Sequence, residues 1–186
     1  MDVKRCQWCG SDPIYQDYHD HVWGRPVYDS QELFAKLCLD GQQAGLSWIT
    51  ILKKQQNYER LFANFDAKII ATFDEAKVEQ LLQDAGIVRN RLKVNSIIRN
   101  AKAKIAFEEQ GNDFSQFLWS FVGGKPVINH FASMSELPAQ TPESEAMSKA
   151  LKKLGFNFVG PTICYAFMQA VGMVNDHTTD CFRYGK

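Results

Sequence analysis

Capping residues punctuate the chain at helix-length intervals, and this most limits what it can fold into. Asp29, Asp66, Asp74, Asn90, Asp113 and Thr141 each precede a run whose apolar residues recur every three or four positions. Gly45, Gly86, Gly111, Gly123-Gly124, Gly155 and Gly172 supply stops. The stripes are Leu33, Phe34, Leu37 and Cys38; Val78, Leu81 and Leu82; Val94, Ile97, Ile98, Ala101, Ile105 and Ala106; and Phe114, Phe117, Leu118 and Phe121. Trp48, Ile51, Leu52, Tyr58, Leu61 and Phe62 read as one helix from Trp48 to Phe62. Pro142 opens a helix to Leu154, and Gly160-Pro161 opens a last one through Ala170. No segment alternates with the period of a half-buried strand. The expectation is an all-α fold of about eight helices, with boundaries good to about three residues. Residues 1–28 have few helix-period positions and read as loop-rich, gathering Trp8, Tyr15, Tyr18, His19, His21, Trp23 and Tyr28; residues 124–141 are a weakly patterned connection.

A chain of 186 residues, 45% hydrophobic and 12% aromatic, suits one domain with a real core, here residues 1–186 in two helical lobes. The formal net charge is zero, which argues against a broad electrostatic grip on nucleic acid but leaves room for a local patch. No apolar run approaches the roughly 20 residues of a membrane span, so no membrane partner is expected. An odd set of five cysteines (Cys6, Cys9, Cys38, Cys164 and Cys181), with no apolar signal core after Met1–Arg5, points to reduced thiols or metal ligands in the cytoplasm. Nothing demands a partner subunit, and a monomer is expected.

Chemistry concentrates at five places. Leu39–Trp48 holds a carboxylate (Asp40), two amides (Gln42, Gln43), two glycines and an aromatic face, at what reads as a helix–turn–helix corner. Cys6, Cys9, His19 and His21 near the start, with His177 and Cys181 near the finish, mix thiolate and imidazole as structural zinc does. Either Cys6, His19, His177 and Cys181 or Cys6, Cys9, His177 and Cys181 makes a tetrahedral set. Gly155–Gly160 joins a basic helix end (Lys149, Lys152, Lys153) to a new helix start, the form of a helix–hairpin–helix that grips a DNA phosphate; an ordinary αα-corner looks the same. Trp8, Tyr15, Tyr18, Trp23 and Trp48 offer faces for a flat, cationic base, or simply core packing. Arg89, Arg91 and Lys93 add a local basic edge for backbone phosphate.

Taken together, these residues resemble the DNA-3-methyladenine glycosylase I family, the constitutive Tag enzymes. The likeness runs through Asp12-Pro13 with Tyr15, Tyr18-His19-Asp20, Trp23-Gly24, Gly41-Gln42-Gln43-Ala44-Gly45-Leu46-Ser47-Trp48, Asp84-Ala85-Gly86-Ile87, Phe158-Val159-Gly160 and Asn175-Asp176-His177. It implies a helix–hairpin–helix glycosylase fold whose termini are joined by structural zinc on Cys6, His19, His177 and Cys181, leaving Cys9 a bystander. The base pocket it implies is Tyr15, Tyr18 and Trp48, with Trp8 and Trp23 beside them. The implied activity is base excision repair: hydrolysis of the N-glycosidic bond of N3-methyladenine in double-stranded DNA, without strand cleavage. In that reading Tyr18 and Trp48 stack on the base while Asp40 and Tyr15 hydrogen-bond it. Leu46 wedges into the emptied stack, and Gly155, Phe158 and Gly160 hold phosphate with Arg89 and Arg91. The family usually has Glu where this chain has Asp40, so the carboxylate reaches about one methylene less. Asn175 stands near the place of the catalytic Asp of other superfamily members, and Asp176 is not expected to be a catalytic base. The rival readings are a zinc-clamped DNA-binding module without catalysis and a related enzyme for another lesion.

Overall fold

Side-chain caps set the helix starts. Asp12, Asp29, Asp66, Asp74, Asn90, Asp113 and Thr141 each accept a hydrogen bond from a backbone N–H in the turn that follows. The structure, a computed structural model, describes residues 2–186. Among these the helices are α1 Pro13–His21, α2 Ser30–Gln42, α3 Trp48–Leu52, α4 Gln55–Leu61, α5 Ala67–Ile70, α6 Glu75–Leu81, α7 Arg91–Glu109, α8 Phe114–Trp119, α9 Pro142–Leu154 and α10 Pro161–Ala170. Helix α2 runs through the core, packed on α7, α8 and α10, with Leu33, Phe34 and Leu37 wholly buried. Its partners contribute Ile97, Ala101, Leu118, Phe167 and Met168 to the same core.

Four expectations need correction. Residues 1–28 are not simply loop, because α1 lies inside them; its buried face is Tyr18 and His19 rather than an aliphatic stripe. Trp48–Phe62 breaks into α3 and α4 at Lys53-Lys54, where the apolar period also lapses. The helix count is therefore ten among the described residues, counting three of seven residues or fewer between Trp48 and Ile70. The fold is mostly helical rather than purely so: Val127–Ile128 (β1) pairs in parallel with Val174–Asn175 (β2). Two-residue strands are too short to show alternation in sequence.

Helix α7 positions two of the segments singled out above. Lys93 Nζ donates to the carbonyls of Gln42 and Ala44 at 2.9 and 2.6 Å, placing a cation on the negative end of α2. It is therefore buried and not part of a basic edge. Two turns on, Asn100 clamps the α9–α10 connection: its amide accepts from Asn157 N–H at 2.8 Å and donates to the Asn157 carbonyl at 3.3 Å. Gly41 completes the arrangement, since a Cβ there would lie 3.1 Å from the Phe158 carbonyl. The end of α2 and the α9–α10 turn are thus held together from one side.

Gly172 closes α10 against the backbone of Arg25 and Pro26. Its φ is +76°, and a Cβ would meet Pro26 N at 2.5 Å. Gly172→Ala is expected to destabilise the fold by about 2 kcal/mol or more through left-handed strain and backbone overlap. Urea unfolding monitored by tryptophan fluorescence checks this, and a loss below about 0.5 kcal/mol would show that the contact relaxes freely.

Candidate functional site

Four side chains from opposite ends of the chain meet. One ligand-type atom from each of Cys6, His19, His177 and Cys181 lies within 4.8 Å of all the others, and all four residues are buried. His177 Nδ1 lies 3.5 Å from Cys6 Sγ and 3.4 Å from Cys181 Sγ, while His19 Nε2 is 3.4 Å from Cys181 Sγ. The outer nitrogens are held too: His19 Nδ1 by Asp20 at 2.8 Å, His177 Nε2 by the Trp23 carbonyl at 3.2 Å. Asp20 is itself paired with Arg5, which holds its carboxyl down to about 2. Cys181 is biased toward thiolate by the neighbouring Cys6 thiol, and Cys6 is pushed up by Cys181 and by burial. Of the two sets left open by spacing, this is the one without Cys9, whose thiol donates to the Cys6 carbonyl at 3.2 Å.

The same histidines buttress an aromatic box. The His19 ring packs 5.3 Å from Trp8 edge to face, and His177 packs 4.8 Å from Trp23. Trp8 in turn meets Trp23 at 4.8 Å and Tyr15 at 5.1 Å, and Tyr18 tilts toward Trp48 at 5.7 Å. These five rings, with Asp40, Gln43, Met134, Leu137, Ala166 and Gln169, line a cavity of about 250 Å³. All six residues expected at a base pocket, Trp8, Tyr15, Tyr18, Trp23, Asp40 and Trp48, converge on it. Three of them carry buried polar atoms without a partner: Trp8 Nε1, Trp48 Nε1 and Asp40 Oδ2. Such atoms are costly unless something pairs with them, and a polar ligand would.

Asp40 lies in the last turn of α2, 2% exposed. Its Oδ1 is 3.5 Å from the ammonium of Lys36, one turn earlier on the helix. That ammonium also sits 3.2 Å over the centre of the Trp48 ring and 5.2 Å from Tyr18. Burial outweighs the pairing for both members: Asp40 is raised to about 6 and Lys36 lowered to about 8. Burial, with Asp40 nearby, also pushes Tyr18 well up. An aromatic box with a buried acid is suited to a flat, positively charged ligand.

Comparison with known proteins agrees with this geometry. The model of the methyladenine glycosylase family matches residues 8–184. The chain belongs to that family. It is 52% identical over 182 residues to DNA-3-methyladenine glycosylase 1 of Escherichia coli, covering 98% of this chain and 97% of that protein. It is 51% identical over 179 residues to the DNA-3-methyladenine glycosylase of Haemophilus influenzae, covering 96% and 97%. A crystal structure of 3-methyladenine DNA glycosylase I superposes with a TM-score of 0.96 at 55% identity, covering 97% of this chain and all of the other. As a family member the chain is a glycosylase, an enzyme that cleaves the bond between a base and its sugar, and the non-catalytic reading falls.

The remaining expected residues of this glycosylase lie outside the box. Leu46 is 38% exposed on the turn after α2, its carbonyl accepting from the Gln43 amide at 2.9 Å. Gly155 caps α9 in the left-handed region, Phe158 takes φ +55°, and Gly160 precedes Pro161 at the start of α10. Arg89 is exposed and in no ion pair among the described residues, whereas Arg91 is committed to Glu75 and Glu79 of α6. Gln42, read as a ligand-holding amide, is instead structural: it donates to the Lys93 carbonyl at 3.0 Å and accepts from Tyr58 at 3.1 Å. Asp176 is buried, and its oxygens accept from Tyr165, Asn129 and Gln169, the last of which lines the pocket. Sequence reasoning missed Lys36, Met134, Leu137, Ala166 and Gln169. Only Lys36 left a signal, its four-residue spacing from Asp40.

A carboxyl raised on folding is favoured by the fold in its protonated form. Asp40 therefore contributes fully below the unfolded value and loses that contribution as pH rises through about 6. Relative to Asp40→Asn, the wild type should lose on the order of 2 kcal/mol of unfolding free energy between pH 4 and 6.5. Urea unfolding of both proteins across that range checks this, and a constant difference would mean that Asp40 does not titrate there.

Proposed function

We propose that this glycosylase excises N3-methyladenine from alkylated double-stranded DNA by hydrolysing the N-glycosidic bond. The observation that carries the reading is the set of three unpartnered polar atoms on the walls of one aromatic cavity, one of them a carboxylate oxygen. Two N–H donors, one acceptor and ring faces on several sides suit the edges and faces of a purine. Methylation at N3 makes the purine cationic, which favours ring faces and an anion over a neutral base. It also weakens the bond to the sugar. When that bond breaks its electrons neutralise the base, water adds to the sugar and gives up a proton to solvent, and little acid catalysis is needed. The names of the Escherichia coli and Haemophilus influenzae relatives agree with this substrate.

In this proposal Tyr18 and Trp48 stack on the flipped base, Asp40 and Tyr15 hydrogen-bond its edge, and Trp8 and Trp23 form the remaining walls. Flipping costs a few kcal/mol, less for a poorly paired lesion, and exposed Leu46 fills the gap left in the stack. The α9–α10 connection acts as a helix–hairpin–helix: Gly155, Phe158 and Gly160 bring the N-terminus of α10 to a phosphate. Arg89 adds a phosphate contact, joined by Arg91 if it exchanges its glutamate partners. The reaction ends at base release, without strand cleavage. The enzyme acts as a monomer in the cytoplasm, a reducing compartment in keeping with five buried cysteines and no disulfide. No helix among the described residues is long and apolar enough to cross a membrane.

Structural zinc on Cys6, His19, His177 and Cys181 belongs to the same proposal. The donor set fits. Zinc–sulfur and zinc–nitrogen bond lengths place sulfur and nitrogen of a tetrahedral site about 3.5 Å apart, and three such distances here are 3.4–3.5 Å. Both imidazoles have their outer nitrogens held, as metal-bound histidines do. Zinc would tie the N-terminal segment to the C-terminal one.

Release of methylated bases from alkylated duplex DNA, followed by mass spectrometry, tests the pocket. Asp40→Asn should slow 3-methyladenine release at least tenfold, about 1.4 kcal/mol of barrier, and Trp48→Ala about tenfold to a hundredfold from lost stacking. Unchanged rates in both would remove this cavity from the reaction. For the metal, atomic emission should find one zinc per chain, and Cys181→Ser should lose it together with thermal stability. A wild-type protein purified without chelators and free of zinc would sink that part alone.

A further inference from the structure

We propose, building on the reading of the pocket as a seat for a cationic base, that Lys36 is a positioning residue for the reaction: it ties down Asp40 Oδ1, keeps the carboxylate ionised and leaves Oδ2 for the base. The geometry is specific. Lys36 reaches Asp40 Oδ1 at 3.5 Å, while Oδ2 of the same carboxylate is buried and unpartnered. Asp40 lines the cavity; Lys36 does not, and instead borders a second depression with Ala35, Leu39 and Gln55. The cation thus lies off the cavity lining, on the Oδ1 side of the carboxylate. Its ammonium is fixed in place by the Trp48 face at 3.2 Å, so pairing and ring contact converge on one position.

The titratable groups facing Asp40 make the need plain. Lys36 faces it from its own helix, Tyr15 and Tyr18 from α1 and Cys164 from α10. Burial holds both Tyr18 and Cys164 in their neutral forms, the latter raised to about 12. Among these groups Lys36 alone supplies positive charge. Burial already raises Asp40 to about 6 with the lysine present. Without it the carboxyl moves up further and is protonated near neutral pH, and a neutral acid loses its attraction for a cationic base. Lys36 also repels that base, but from off the cavity lining, so retention of the charge on Asp40 dominates near neutrality.

The test is single-turnover release of 3-methyladenine from methylated duplex DNA between pH 5.5 and 9, by wild type, Lys36→Met and Lys36→Arg. It is paired with NMR titration of the Asp40 carboxyl carbon in the DNA-free proteins. Wild type should show an acid limb near pH 6. In Lys36→Met that limb and the carboxyl titration should both move up by at least one pH unit. The rate at pH 7 should fall at least tenfold and rejoin wild type above pH 8.5. Lys36→Arg should keep the wild-type limb. An unmoved limb and titration in Lys36→Met overturn the inference, as does a loss uniform in pH that Lys36→Arg fails to restore, which marks a purely structural side chain. If wild type releases no 3-methyladenine at any pH, the proposed function fails instead, and the carboxyl titration alone decides whether Lys36 holds Asp40 ionised.

Discussion

The pocket depends on the closure of the chain's two ends around Cys6, His19, His177 and Cys181. Most of the aromatic walls lie in the N-terminal segment: Trp8 ahead of α1, Tyr15 and Tyr18 on it, Trp23 after it. This segment packs in a small cluster of its own with Ala170, Cys181 and Phe182, apart from the main core. His19 and Trp8, then His177 and Trp23, carry the fixed position of the cluster directly into the rings. A short helix with few aliphatic contacts is otherwise a poor foundation, because isolated helices of this length are marginal in water. Loosening the closure would therefore disperse the box before it disturbed α2, α7 or α10.

The opposite wall is rigid for a different reason. Asp40 and the turn leading to Trp48 belong to the end of α2, the most buried helix of the fold. Lys93 and Asn100 brace that end and the α9–α10 turn from α7. One wall is thus clamped by a cysteine–histidine cluster and the other by buried polar anchors in the hydrophobic core. The walls carry unpartnered indole N–H groups and a half-paired carboxylate, and a buried ammonium off the cavity lining pairs with that carboxylate. All of these lower stability and are retained where function benefits from preorganised, desolvated polar groups.

The α9–α10 turn shows how the wall formed by α2 connects to the outside. Gly41, next to Asp40, allows Phe158 of the α9–α10 turn to approach α2. The acid in the pocket and the turn that faces the solvent are therefore separated by one close backbone contact. Lys93 bonds the Gln42 and Ala44 carbonyls at that end of α2.

Helix starts were legible from sequence because a cap is a local bond: Asp29, Asp74 or Asn90 reaches an N–H within three residues, whatever the rest of the chain does. The family motifs were legible for the same reason, as contiguous words such as Gly41–Trp48 and Phe158–Gly160. Helix α1 escaped notice because its buried face is aromatic and imidazole, which carries no aliphatic period. Spacing left open whether His19 or Cys9 completes the cluster; that choice, which basic residue of 89–93 is buried and how Lys36 is enclosed beside Asp40 were decided in three dimensions. His19 faces Cys181, whereas the Cys9 thiol turns to the Cys6 carbonyl. Lys36 looks like any solvated helix lysine until Tyr18 and Trp48, from two other elements, close over it. Local hydrogen bonding fixes where helices begin; the burial of a charge depends on elements distant in sequence, and so belongs to the tertiary structure alone.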